Sequence, residues 1–110
     1  MDELTEMPRA RLAVSTDPAD GPNLVVRLAG NLDLAGLTDI TEQVEELLAR
    51  DPQPLVVDLA DVAFIDSSGV GLLIRLAHRF GPIRARAASP PVRRVIKVLG
   101  LVDLLGLDEA

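Results

Sequence analysis

The stretch from residue 55 to residue 80, LVVDLADVAFIDSSGVGLLIRLAHRF, constrains this chain more than any other part of it. A buried-looking strand there runs through a short polar turn directly into an apolar helix. Leu55 to Leu59 are mostly apolar and β-branched, as in a strand covered on both faces. Pro54 fits the first position of such a strand, where no ladder hydrogen bond is lost. Ala60 to Ile65 follow, and then Asp66, Ser67, Ser68 and Gly69.

Asp and Ser side chains accept hydrogen bonds from the free N–H groups of a helix's first turn, so this spacing predicts a helix starting near Ser67. A capping box would need Glu or Gln three residues after the capping serine. Val70 follows Ser67 and Gly71 follows Ser68 at that spacing, so no carboxylate is expected to fill the first turn from within. Gly69 and Gly71 leave the backbone open to close approach, and the helix dipole and free amides favour a negative group. A phosphate on Ser67 or Ser68 would be well placed there. Asp66 works against it, because a phosphoserine adds about −1.5 to −2 charges next to an existing carboxylate. The charge is then either absorbed by the helix start or repelled, and both outcomes alter the surface locally, as a switch requires. The plainer alternative is that Ser67 or Ser68 only caps the helix while the glycines allow tight packing on a sheet.

A chain of 110 residues suits one domain with one core. Phe64 and Phe80 are its only aromatic residues, so the core must consist of Leu, Val, Ile and Ala, and stacking platforms for bases or sugars are not expected. The absence of Cys rules out disulfides and thiolate metal sites. The start, MDELTEMPRA, has no signal-peptide pattern, and no apolar run reaches the roughly 20 residues that span a bilayer, so a cytoplasmic protein without membrane insertion is expected. Residues 1 to 66 hold 14 acids and 4 bases, whereas residues 67 to 110 hold 3 acids and 7 bases. Arg84, Arg86, Arg93, Arg94 and Lys97 form either a small patch for an anionic or protein partner or simply a solvated face. Direct nucleic-acid binding does not follow from them.

In chain order, residues 1 to 10 read as a flexible tail and Arg11 to Thr16 as an edge strand. The turn residues Asp17 to Asn23 then lead to a second strand, Leu24 to Leu28, making an antiparallel hairpin. Gly30 to Asp33 close that strand. From Leu37 a helix is expected with Leu37, Ile40, Val44, Leu47 and Leu48 on its apolar face and Asp39, Glu42, Glu45 and Glu46 outside. In the helix after Ser67, Val70, Leu73, Ile74 and Ala77 form an apolar face widened by Leu72, Leu76 and Phe80, so more of the domain or a partner should cover it. Ile83 to Ala88 read as a strand. Ser89 and Pro90 start a last helix with Val92, Val95, Ile96 and Leu99 buried, Gly100 stops it, and Leu101 to Leu105 add a short turn. No internal repeat is evident.

This order of elements, together with GNLD, FIDSSGVGLL and SPPVRRVIKVLGLVDLL, resembles the STAS family, and within it the bacterial anti-sigma factor antagonists. The resemblance spans about Arg11 to Leu105, and FIDSSGVG is its most specific piece. It implies an α/β fold: a single STAS-like domain over residues 11 to 110, with a mixed β-sheet of about four strands and helices packed mainly on one face. It also implies a partner switch rather than an enzyme. In such proteins the unphosphorylated form binds an anti-sigma factor that is also a serine kinase and so frees the sigma factor. Phosphorylation of the first serine of the motif, Ser67 here, breaks that complex, and a serine phosphatase reverses it. By the same matching, Asp33, Asp66, Ser68 and Gly69 surround the phosphoacceptor, and no cofactor is implied. An unpaired charge desolvated in an interface costs several kcal/mol, and a loss of about 3 kcal/mol weakens binding roughly a hundredfold. Two departures stand out: Asn31 replaces the usual Glu of GELD, and the chain stops at Ala110 where many members continue into another strand.

Other functions fit less well. A hydrolase triad of Ser67, His78 and an Asp fails if one helix runs from Ser67 to His78, since eleven steps separate their backbones by about 16 Å. GVGLLI lacks the third glycine of a dinucleotide fingerprint, Ile74 standing in its place, and no GK pair of a phosphate loop is present. A non-switching STAS scaffold subunit of a transporter or signalling complex keeps the fold without the switch. Oligomeric state is not readable from the sequence.

Overall fold

In the computed structural model, which describes residues 9–16, 19 and 21–108, two parallel strands form the centre of the sheet. Strand β2, Leu24–Leu32, pairs with β3, Leu55–Ile65, and each is flanked by one further strand. β1, Arg11–Thr16, lies antiparallel to β2, and β4, Ile83–Arg86, lies parallel to β3, giving a mixed sheet in the order β1-β2-β3-β4. The expected hairpin is thus present, with Arg11 opposite Ala29 and Thr16 opposite Leu24. The expected tail residues Met1 to Pro8, the turn residues Asp17, Pro18 and Asp20, and the end of the domain at Glu109 and Ala110 lie outside the described residues.

β2 and β3 both run further than the apolar runs that predicted them. The pairing moves from Arg27 with Asp58 to Ala29 with Asp61, and from Gly30 with Val62 to Asn31 with Phe64. Each step inserts one extra residue in β3, and each such bulge turns the next side chain to the other face. The burial of Leu59, Val62 and Ile65 therefore recurs every third residue, with exposed residues between. At the first bulge the Asp58 carboxylate accepts the Ala60 N–H at 2.9 Å.

Five helices connect and follow the strands among the described residues: α1, Leu34–Asp39; α2, Thr41–Leu48; α3, Ser67–Phe80; α4, Pro90–Val98; and α5, Val102–Leu105. The single helix expected from Leu37 is instead two, starting earlier and breaking at Ile40. The Thr41 hydroxyl bonds the carbonyls of Leu37 and Thr38, so a side chain competes with the backbone at the junction. Ile40, Val44 and Leu47 still face inward, as the apolar period required.

One hydrophobic core joins Val26, Leu28, Val57 and Leu59 of the sheet to the buried faces of α2, α3, α4 and α5, so the helices gather on one face. Leu73, Leu76 and Phe80 are fully enclosed, and the domain itself covers the apolar helix α3. Val92 and Ile96 are buried in α4, but Leu99, expected inside, is 53% exposed because the helix ends at Val98 and the chain turns away. The other face of the sheet buries Val25 and Val56 beneath charged side chains. Asp58 stands between Arg86, 3.4 Å away, and Arg27, 4.0 Å away, while Arg27 donates to Ser15 at 2.9 Å. Arg93 clasps Asp108 through two donors, one of them 2.9 Å from the carboxylate. Two of the five bases considered as a patch are thus committed to acids of the same chain.

Candidate functional site

Leu32 pairs with Ile65, so β2 and β3 end side by side, and each is followed by an aspartate that opens a helix. Binding sites of parallel sheets form at this end of the strands. The Asp33 carboxylate accepts the Gly36 N–H at 2.8 Å and caps α1. The Asp66 carboxylate accepts the N–H groups of Ser68 at 2.8 Å and Gly69 at 3.3 Å and caps α3. The cap of α3 is therefore Asp66, and neither Ser67 nor Ser68 is needed for it. The carboxylate expected to be missing from the first turn reaches it from the capping position.

The same device is built twice, as Asp33-Leu34-Ala35-Gly36 and as Asp66-Ser67-Ser68-Gly69. In both, the glycine lets the helix start press on a strand carbonyl. A Cβ at Gly36 would stand 2.0 Å from the Asn31 oxygen, and one at Gly69 would stand 2.3 Å from the Leu32 oxygen. The D-x-x-G repeat was legible in the sequence and marks Gly36 as a member of the site that motif matching alone passes over. Asn31 is half-buried in β2, where its carbonyl meets Gly36.

All five expected residues come together. Asp33 and Asp66 are half-buried, Gly69 is buried, and Ser68 is half-buried at the edge of a groove of about 500 Å³ between α1, α2 and α3. Ser67 alone is exposed, at the first helical position, and its hydroxyl has no hydrogen-bond partner among the described residues. Phe64, next to last in β3, and Leu34, first in α1, expose 51% and 71% of their surface. Because Asp66 occupies the Ser68 and Gly69 amides, a phosphate on Ser67 finds those two donors taken and a carboxylate beside it.

The arrangement offers little for catalysis. Ser67 and His78 lie on the same helix, about 16 Å apart along its axis, and His78 is exposed near the far end. Among the described residues no group of three or more His, Asp or Glu side chains is placed to hold a metal ion, and no helix is long and apolar enough to cross a membrane.

Comparison with known proteins places residues 15–106 within the family model described as Mlab, STAS domain. A STAS-domain containing protein of Pseudomonas aeruginosa is 30% identical over 102 residues, which are 88% of this chain and 100% of that protein. An anti-sigma F factor antagonist of Paenibacillus polymyxa is 29% identical over 87 residues, 74% of each chain. Among solved structures, the anti-sigma factor antagonist SpoIIAA in its unphosphorylated form is 26% identical, with a TM-score of 0.60 over 92% of this chain and 87% of its own. The same Bacillus protein has also been solved in the phosphorylated form.

Proposed function

The chain belongs to the STAS domain family, and from that membership we propose that it is an anti-sigma factor antagonist worked by phosphorylation. Unphosphorylated, it binds a serine-kinase anti-sigma factor in the cytoplasm and frees the sigma factor. That kinase then phosphorylates Ser67 and the complex parts, and a serine phosphatase restores the binding form. The protein is a substrate of both enzymes and not an enzyme itself. Residues 11 to 110 act as the STAS domain, and Ala10, expected in the tail, packs into its core at 5% exposure.

One observation carries this reading: Ser67 is the exposed serine of the site, and Asp66 relieves it of any capping duty. A hydroxyl without a structural task is open to a kinase. The added charge stays on the surface, because Asp66 already takes the Ser68 and Gly69 amides and its carboxylate repels it. A docked partner would then have to desolvate an unpaired dianion. The relatives named as anti-sigma factor antagonists, one of them solved with and without phosphate, support the same reading.

Titrating the anti-sigma factor with variants tests it. Ser67→Ala is expected to bind like the wild type and Ser67→Asp at least tenfold more weakly. Equal binding by all three would remove the switch. A second reading, a non-switching STAS scaffold subunit of a transporter or signalling complex, is favoured by the fact that the Pseudomonas relative is described by the domain alone. Co-purification with transporter components instead of a serine-kinase anti-sigma factor would select it.

A further inference from the structure

Gly69 and Gly71 are two residues apart on α3 yet answer to different demands. A side chain at Gly69 would collide with the Leu32 carbonyl, whereas a Cβ at Gly71 would meet nothing within 4 Å. Glycine is among the poorest residues inside a helix, so the fold gains nothing from having it at position 71. Gly71 instead keeps flat one wall of the groove between α1, α2 and α3, where the backbone of α3 lies open to approach.

The rest of the groove is similarly unfinished. Leu72 and Val44 form apolar walls, and Leu34 at the rim is 71% exposed. Arg75 lines the α3 side and Glu45 the α2 side, and neither has an ion pair or hydrogen bond among the described residues. The groove therefore presents a cation on one wall and an anion on the other, over apolar side chains. From Ser68 to Arg75 it follows α3 for about 10 Å, two helical turns.

We propose that this groove seats an amphipathic α-helix of the anti-sigma factor, with apolar residues at i and i+4 pressed over Gly71 and Leu72, an acid facing Arg75 and a base facing Glu45. This rests on the partner-switch reading and names the surface it uses. A helix suits the groove because both walls are helices whose backbone groups are already paired, so an extended peptide would find no ladder to join, while a helix satisfies its own backbone. Opposite charges on the two walls fix its orientation. Ser68 lines the groove and Ser67 adjoins it, so a phosphate on Ser67 falls within the footprint of the seated helix.

The test is a binding titration of the full chain against each serine-kinase anti-sigma factor of its source, comparing wild type, Gly71→Leu, Arg75→Glu and Ser67→Asp. Thermal unfolding of each variant runs alongside. Gly71→Leu fills the groove and Arg75→Glu reverses one wall, and each is expected to weaken binding tenfold or more while the unfolding temperature holds or rises. Replacing the partner's matching acid with Lys is expected to restore binding to Arg75→Glu. If Ser67→Asp weakens binding but both groove variants bind as the wild type does, the groove assignment is wrong and the switch stands. If the wild type binds none of the kinases, or Ser67→Asp binds as tightly as wild type, the switch reading fails and the groove assignment falls with it. Should Gly71→Leu fail to fold, the exposed Arg75→Glu decides alone.

Discussion

Asp33 and Asp66 hold equivalent positions at the ends of neighbouring parallel strands, each capping the helix that follows with its own carboxylate. Their helices start against the strand carbonyls through Gly36 and Gly69. Two negative side chains are thereby fixed beside an exposed serine that takes no part in holding them. The site is rigid in its aspartates and unencumbered at Ser67.

Removing the Asp66 cap should loosen the first turn of α3. Asp66→Ala is expected to lower stability by about 1 kcal/mol, within the range of about 0.5–2 kcal/mol for lost N-caps, and Asp66→Asn much less because its amide oxygen still accepts the same N–H groups. Urea denaturation of the two variants measures the difference. Equal losses would show that charge and not the hydrogen bonds holds the helix start.

Alanine at the two glycines of α3 should act in opposite directions. Gly69→Ala forces a methyl against the Leu32 carbonyl and is expected to cost about 1–3 kcal/mol. Gly71→Ala meets open space in a helix interior and is expected to add about 0.5–1 kcal/mol. Denaturant midpoints of both variants check this, and a destabilised Gly71→Ala would contradict the open wall described for the groove.

Much of this was legible beforehand. The FIDSSG turn, the apolar face of α3 and the Ser-Pro start of α4 are short-range patterns, and local chemistry alone places them. β3 was read too short because two bulges replace its alternation with a three-residue period, which neither the strand nor the helix template detects. The break at Ile40 depends on where the Thr41 hydroxyl finds carbonyls, a choice that the amphipathic pattern does not record. At the site, Asp66 and not a serine proved to be the cap. Both residue types cap helices, and only the geometry of the strand end decides which residue sits at that position.

Asp108 ties the end of the chain to β4 and α4. Its backbone N–H bonds the Ala85 carbonyl at 3.1 Å, and its carboxylate takes the Arg93 guanidinium at 2.9 Å and the Ala87 N–H at 3.4 Å. The Arg93 hydrogen bond, opposed by some desolvation, holds this carboxyl below its usual range. A lowered folded-state value means the stabilisation is complete above the unfolded value of about 3.9 and is lost as pH falls through the folded one. Asp108→Asn should therefore be less stable than wild type near pH 7, by about 1 kcal/mol or less since the pair is partly solvated, and the gap should close below about pH 4. Acid titrations of both proteins followed by circular dichroism test this; a gap that persists at low pH would assign the effect to packing.

Truncating the largest buried side chain of α3 gives a scale for these effects. Phe80 is 1% exposed, and Phe80→Ala is expected to cost about 3–5 kcal/mol, several times any single cap. Differential scanning calorimetry should show the midpoint fall accordingly. A small shift would mean that the core collapses readily around the missing ring.

Mapping phosphate by mass spectrometry after incubation with ATP and the serine-kinase anti-sigma factors of the source tests whether Ser67 is the phosphoacceptor. One phosphate is expected, on Ser67, absent from Ser67→Ala and unaffected in Ser68→Ala. Phosphate on Ser68, or none with any of these kinases on a folded protein, would contradict it.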